Sequence, residues 1–263
     1  MTELRLVQVD AFADRPFTGN PAAVMPLDAW LPNEVMQAIA LENNLSETAF
    51  TVPAEDDAVD YNLRWFTPTL EIALCGHATL ASAHVLMEGK ERLRFRTRSS
   101  GMLDVARAGD GYALSLPALK PEPKPLPEIV AGLGCTPVET LWHDGGYALV
   151  VLAGEDEVRA LAPDFKALAA GGDTTIIATT APGSDSDVVS RVFVPGAGVD
   201  EDPVTGAAHA VMVPYWAERL GRSGAISFFQ ASRRGGHLTG RLAGDRVILG
   251  GKCVTVIEGL MRI

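Results

Sequence analysis

Residues 96–115 read "RTRSSGMLDVARAGDGYALS", and residues 231–250, at a constant offset of 135, read "ASRRGGHLTGRLAGDRVILG". Seven pairs match without a gap: Arg98/Arg233, Gly101/Gly236, Leu103/Leu238, Ala108/Ala243, Gly109/Gly244, Asp110/Asp245 and Leu114/Leu249. Both copies read as strand, glycine turn, strand, Ala-Gly-Asp turn, strand, because runs of strand formers are broken at the glycines. A second pair of stretches agrees. Residues 64–87, "RWFTPTLEIALCGHATLASAHVLM", resemble residues 191–213, "RVFVPGAGVDEDPVTGAAHAVMV". Each leaves an Arg-x-Phe-x-Pro strand end, crosses a loop to Gly and Thr, and enters a helix through Ala-His. A repeat of this length points to two halves of similar plan. The plainer alternative is two α+β domains that share turn chemistry by accident.

The chain has 263 residues, 47% of them hydrophobic and 21% charged, and its formal charge is −11. That supports a sizeable core in one or two domains. An acidic chain without a basic tract argues against nucleic acid as a partner. A small anion remains compatible with it, because backbone dipoles at helix starts bind anions locally. Cys75, Cys135 and Cys253 are few, odd in number and widely spaced, which fits a reducing compartment and neither a disulfide framework nor a structural zinc. The N-terminus has no signal-peptide pattern and no apolar run approaches a membrane span, so the expected location is cytoplasmic, with no membrane partner.

"LRLVQVDAF" alternates like a strand, and "PNEVMQAIALENN" has helical spacing with Asn33 as its N-cap. "ETAFTV", "YNLRWFTP", "RLRFRTR" and "YALSLPA" read as strands, and "HATLASAHVLMEG" as a helix of small apolar residues. Pro117 to Pro127 holds five prolines, the mark of an extended connector. The expected division is therefore an N-terminal half over 1–118, a linker over 119–127 and a C-terminal half over 128–263. Two such halves packed face to face would direct two helix starts into one cleft, where their unpaired N–H groups could hold a carboxylate.

Four residues draw attention on their own chemistry. Cys75 precedes a helix start, where a thiol can be acidified, yet the equivalent place in the other half, "DEDPVTGAA", has no cysteine; the plain reading is a small buried apolar residue. His77, between small neighbours at the same helix start, reads either as a proton-shuttling group or as an exposed capping histidine. Asp202 reads either as an N-terminal cap or as a polar group facing a ligand. Glu47, in "NNLSETAFTV", is either the polar lip of a strand or an acid/base group. His84 and His209 read as satisfied buried histidines. A metal site is not expected, since no i, i+4 histidine pair or accompanying carboxylate has ligand spacing.

"DAFADRPFTGNPAAV", "NLSETAF", "RWFTPTLEIALCGHATLASAHVL", "DEDPVTGAAHAVMVPYW" and "QASRRGGHLTGRL", in this order, resemble the PhzF-like phenazine biosynthesis family, which shares the diaminopimelate epimerase fold. The resemblance implies an α+β fold of two similar halves, each a curved, barrel-like, mostly antiparallel sheet around a central helix. It implies a homodimeric isomerase that moves a proton between carbons of a small carboxylic acid without a metal or organic cofactor. Glu47 is then the essential acid/base, supported by His77 and Asp202, while Ser46, Gly76, Gly206 and Ala207 bind substrate. Ala207 stands where the family pattern often has serine, so one side-chain hydrogen bond is missing and the preferred acid is expected to differ. Two alternatives remain beside this reading: an epimerase or racemase using one acid and one thiol, and a small-acid binding protein without turnover.

Overall fold

The computed structural model describes residues 2–263. The chain forms two compact units, one comprising residues 1–115 and 250–263, the other residues 116–249.

In the first unit the chain runs β1 (Glu3–Ala11), β2 (Asn20–Pro26), α1 (Asn33–Asn43), β3 (Glu47–Pro53), β4 (Tyr61–Phe66), β5 (Glu71–Ile72), α2 (Gly76–Leu86), β6 (Arg92–Thr97), β7 (Met102–Ala108) and β8 (Gly111–Pro117), whose end enters the second unit. Along the sheet, β1–β2 is antiparallel, β2–β3 parallel, β3–β4 antiparallel, β4–β6 parallel, and β6–β7–β8 antiparallel. Helix α2 packs against β1, β2, β3 and β7, and all of its residues except His84 are buried. An apolar, small-residue sequence with no polar stripe suits a helix covered on every side. On another face, Met36, Ile39 and Ala40 of α1 pack with Met25, Phe50 and Phe66.

The second unit contains β9 (Glu122–Pro123), α3 (Pro127–Leu133), β10 (Glu139–His143), β11 (Tyr147–Val151), α4 (Glu155–Ala160), α5 (Phe165–Ala169), β12 (Thr175–Thr180), β13 (Val188–Phe193), α6 (Gly206–Leu220), β14 (Ile226–Gln230), β15 (Gly236–Ala243) and β16 (Arg246–Gly251). Its pairings repeat the alternation of the first unit: β10–β11 antiparallel, β11–β12 parallel, β12–β13 antiparallel, β13–β14 parallel, β14–β15 antiparallel. Helix α6 follows β13 as α2 follows β4, and it packs on β11 and β15. Gly109 and Gly244, matched in the repeat, both adopt positive φ (60° and 65°) in equivalent turns. The duplication is therefore structural: strand order, pairing sense, the site of the long helix and turn chemistry all recur.

The division differs from the expected one at both boundaries. β17 (Cys253–Arg262) pairs with β1 over its length, so the last residues belong to the first unit and not to a C-terminal half ending at 263. Residues 119–127 are no free connector. Leu119 N donates to Ala210 O, Glu122–Pro123 pairs with Leu141–Trp142, and Pro127 opens α3, where its missing N–H costs nothing. A second expectation also shifts: Pro32 is the N-cap of α1, and the Asn33 side chain instead accepts from Arg64. None of the described helices is long and apolar enough to cross a membrane.

Candidate active site

In the first unit, three chain segments converge. Helix α1 ends in the left-handed Asn44 (φ 48°), and Asn43 Nδ2 donates to Thr48 Oγ1, which sets the start of β3. Glu47 is the first residue of that strand and stands opposite Ala22 of β2 in parallel register. β2 itself opens at the fully buried Asn20. The third segment is the start of α2, where Cys75 is extended (φ −140°, ψ 112°) and Gly76 turns into the helix.

These starts bring the side chains together. His77 Nε2 lies 2.8 Å from Glu47 Oε2, with the His77 side chain 5% and the Glu47 side chain 15% exposed. His77 Nδ1 lies 3.2 Å from Asn20 Nδ2 and 3.5 Å from Cys75 Sγ. His77 is thus neither exposed nor a cap, and Glu47, at the lip of β3, faces the His77 ring. Ser46 sits half-buried at the bend immediately before Glu47.

Electrostatics differentiate the three groups. Burial pushes the Cys75 thiol up to about 11, with the Glu47 charge adding to it, so the thiol is protonated at neutral pH. For His77, burial disfavours the imidazolium, while the neighbouring Cys75 and Glu47 act in the opposite direction and raise the imidazole; with Cys75 a neutral thiol, Glu47 beside Nε2 is the partner that favours the protonated ring. The arrangement is a half-buried carboxyl group beside a buried imidazole, with a neutral thiol against the same ring.

In the second unit, the loop before α6 is built from side-chain bonds. Arg191 grips Glu201 through two bonds of 2.7 and 2.9 Å, so Glu201 is committed to structure. Asp202 accepts the Thr205 hydroxyl, and its own N–H donates to Val192 O. Gln230, fully buried, accepts from Thr205 N at 2.9 Å and donates to Asp202 O at 2.7 Å. Asp202 is not the helix cap expected as its plain reading; Thr205 holds that position. Gly206 is buried and Ala207 half-buried in the first turn of α6. Neither Cys75 nor Thr205 makes a side-chain cap hydrogen bond to its own helix.

His84 and His209, expected as satisfied buried histidines, meet that only in part: His84 is half-buried, and His209 is buried with no partner at Nε2. His84 is bonded at both nitrogens, 3.0 Å each to Tyr112 Oη and Thr255 Oγ1. His209 Nδ1 donates to Thr205 O at 2.8 Å while its ring meets Phe228 edge-on. Sequence reasoning did not single out Asn20, Thr205 or Gln230. All three lie within the quoted family blocks, but a buried amide has no local signal that separates it from a turn residue or a strand end.

A family model described as phenazine biosynthesis-like protein (PhzC-PhzF) matches residues 9–126 and 133–259. An uncharacterised isomerase of Pseudomonas aeruginosa is 49% identical, with 99% of this chain and 100% of the relative covered. The crystal structure of a PhzF-family phenazine biosynthesis protein from Enterococcus faecalis superposes with a TM-score of 0.92 at 45% identity, over 100% of both chains. A hydroxyproline epimerase from Agrobacterium vitis shares the fold alone, at a TM-score of 0.65 and 13% identity over 98% of this chain and 92% of that one. With its α+β halves, its duplicated strand order and these matches along nearly its whole length, the chain belongs to the phenazine biosynthesis-like (PhzC-PhzF) family, as an isomerase.

Proposed function

We propose that the protein moves a proton between carbons of a small cyclic or unsaturated carboxylic acid, with Glu47 as the general acid/base and no cofactor. The observation that carries this reading is the 2.8 Å contact between Glu47 Oε2 and His77 Nε2 at the start of a buried helix. A carboxylate removes a proton from carbon, the electron pair delocalises through the conjugated acid, and the same carboxyl returns a proton to a second carbon. Positioned proton transfer of this kind contributes roughly 10²–10⁴-fold. His77, holding its proton, hydrogen-bonds the carboxyl as its charge changes. The N–H groups of Gly76 and His77 supply donors for the substrate carboxylate, with Ser46 beside them. Gly206 and Ala207 repeat that construction in the second unit, where Asp202 is the supporting acid. The same reading carries a homodimer and a cytoplasmic location, the latter in keeping with three free thiols.

The test is a screen of cyclic dienoic and amino acids in deuterated water, scored by mass increase. Glu47→Gln should abolish label uptake; full turnover in that variant would remove Glu47 from the chemistry.

One observation favours a second reading, an epimerase using an acid and a thiol: Cys75 Sγ is 3.5 Å from His77 Nδ1. Against it, a thiol pushed up to about 11 is a poor base at neutral pH. Deuterium exchange at the α-carbon of an amino acid, lost in Cys75→Ser, would establish it.

A further inference from the structure

We propose that Glu47, Cys75 and His77 also form a binding site for a borderline-soft divalent cation such as Zn²⁺ or Co²⁺, and that the bound ion silences the isomerase. The inhibitory half rests on the reading of Glu47 given above; the binding half does not.

A carboxylate oxygen, a sulfur and a ring nitrogen from these residues all lie within 4.8 Å of one another, and no other such trio of His, Cys, Asp or Glu donors occurs among the described residues. Three side chains of this kind are the donor set of open zinc sites, whose fourth position is left to water. With metal–ligand bonds of roughly 2.0–2.3 Å, the donors of a tetrahedral site stand roughly 3.3–3.6 Å apart. Here Nε2–Oε2 is 2.8 Å and Nε2–Sγ is 3.9 Å. Sγ is nearer Nδ1, at 3.5 Å, than Nε2, so an ion seated on Nε2 requires the Cys75 side chain to swing by about 2 Å toward Glu47.

The supporting parts are present as well. Glu47 is held by the β2–β3 pairing, and Cys75 and His77 by the first turn of α2, so the backbone at all three donors is set in advance. Asn20 lies against the second nitrogen of His77, with its amide nitrogen 3.2 Å from Nδ1, and metal binding at Nε2 would require the amide to turn its oxygen to the Nδ1–H. The sulfur selects for Zn²⁺, Co²⁺ or Cd²⁺ over Mg²⁺ or Ca²⁺, which prefer oxygen alone. Coordination sends the thiol proton and any proton on Nε2 to solvent. The carboxylate is then tied to the ion and cannot accept a proton from carbon.

The experiment is titration of the full chain with Co²⁺ in thiol-free buffer. One equivalent should produce a sulfur-to-cobalt charge-transfer band and the intense visible bands of four-coordination, while Mg²⁺ should displace nothing. Cys75→Ser should remove the charge-transfer band. Glu47→Gln, nearly isosteric and therefore expected to fold, should weaken Co²⁺ binding about tenfold or more. No sulfur band at saturating Co²⁺ would overturn the site, as would a band undiminished in Cys75→Ser, which would belong to Cys135 or Cys253. Loss of substrate exchange on adding Co²⁺, restored by a chelator, supports both halves. A normal band with unimpaired exchange supports the site and rejects Glu47 as the acid/base.

Discussion

Glu47 Oε2 and His77 Nε2 stand 2.8 Å apart, one at the first residue of a strand and the other in the first turn of a buried helix. The carboxylate is fixed by parallel pairing with β2, and the imidazole by a helix covered almost all round. A pre-set acid/base pair of this kind costs no reorganisation when a substrate proton moves.

Glu47→Gln should lower deuterium incorporation by roughly 10²–10⁴-fold on whichever acid the screen identifies. His77→Asn should lower it less, because the carboxylate remains. Either change leaves one member of a buried pair alone, so both should also lower the urea midpoint. A His77→Asn variant slower than Glu47→Gln would reverse the two roles.

Cys75 should be slow to react. A buried thiol pushed up to about 11 is almost wholly protonated near neutrality. Alkylation of the native protein at about pH 7.5, followed by peptide mapping, should label Cys75 far more slowly than in urea. Rapid native labelling would show an accessible thiolate there and revive the thiol mechanism.

His209 makes stability fall in mild acid. Burial lowers its pKa from 6.5 to about 4. Between those values the unfolded chain binds a proton that the folded chain refuses, so stability rises with pH in this window. The contribution is complete above about 6.5 and is lost as pH falls toward 4, amounting to about 3 kcal/mol at most. His84 is lowered too, by burial and then by Arg107, and acts in the same direction. Urea midpoints across this window should therefore change less in His209→Gln than in the wild type; equal slopes would show that His209 accepts its proton while folded.

Gln230→Leu should destabilise the second unit. It strands Thr205 N–H and Asp202 C=O, each at about 1–3 kcal/mol if left unpaired. A thermal midpoint within a degree or so of wild type would mean that the loop finds other partners.

Gly109→Ala and Gly244→Ala should each cost about 1 kcal/mol by denaturant titration. An added Cβ at either position meets nothing within 4 Å, so the whole penalty comes from the positive φ. A neutral result at one position would mean that its turn relaxes to another type.

Much of the fold was legible in advance because its signals are local. Strand alternation, the Ala-Gly-Asp turns and the small-residue helix each depend on neighbours a few positions away, and their recurrence exposed the duplication. The unit boundaries were misplaced for the opposite reason. β17 joins β1, a pairing between the two ends of the chain that no local pattern announces. The Pro-rich stretch misled because proline also serves at a strand edge and at the first position of a helix, as Pro123 and Pro127 do.

The site divides in the same way. By itself the sequence determined two halves of one plan, the family, and the residue types fit for proton transfer at Glu47, His77 and Asp202. Only the tertiary structure decided that Glu47 meets His77, that Asn20 and Cys75 share the same ring, and that Gln230 fixes the loop carrying Asp202. Apart from Cys75, two positions from His77, those contacts join residues far apart in the chain, and they exist because strand pairing and helix burial set the distances between them.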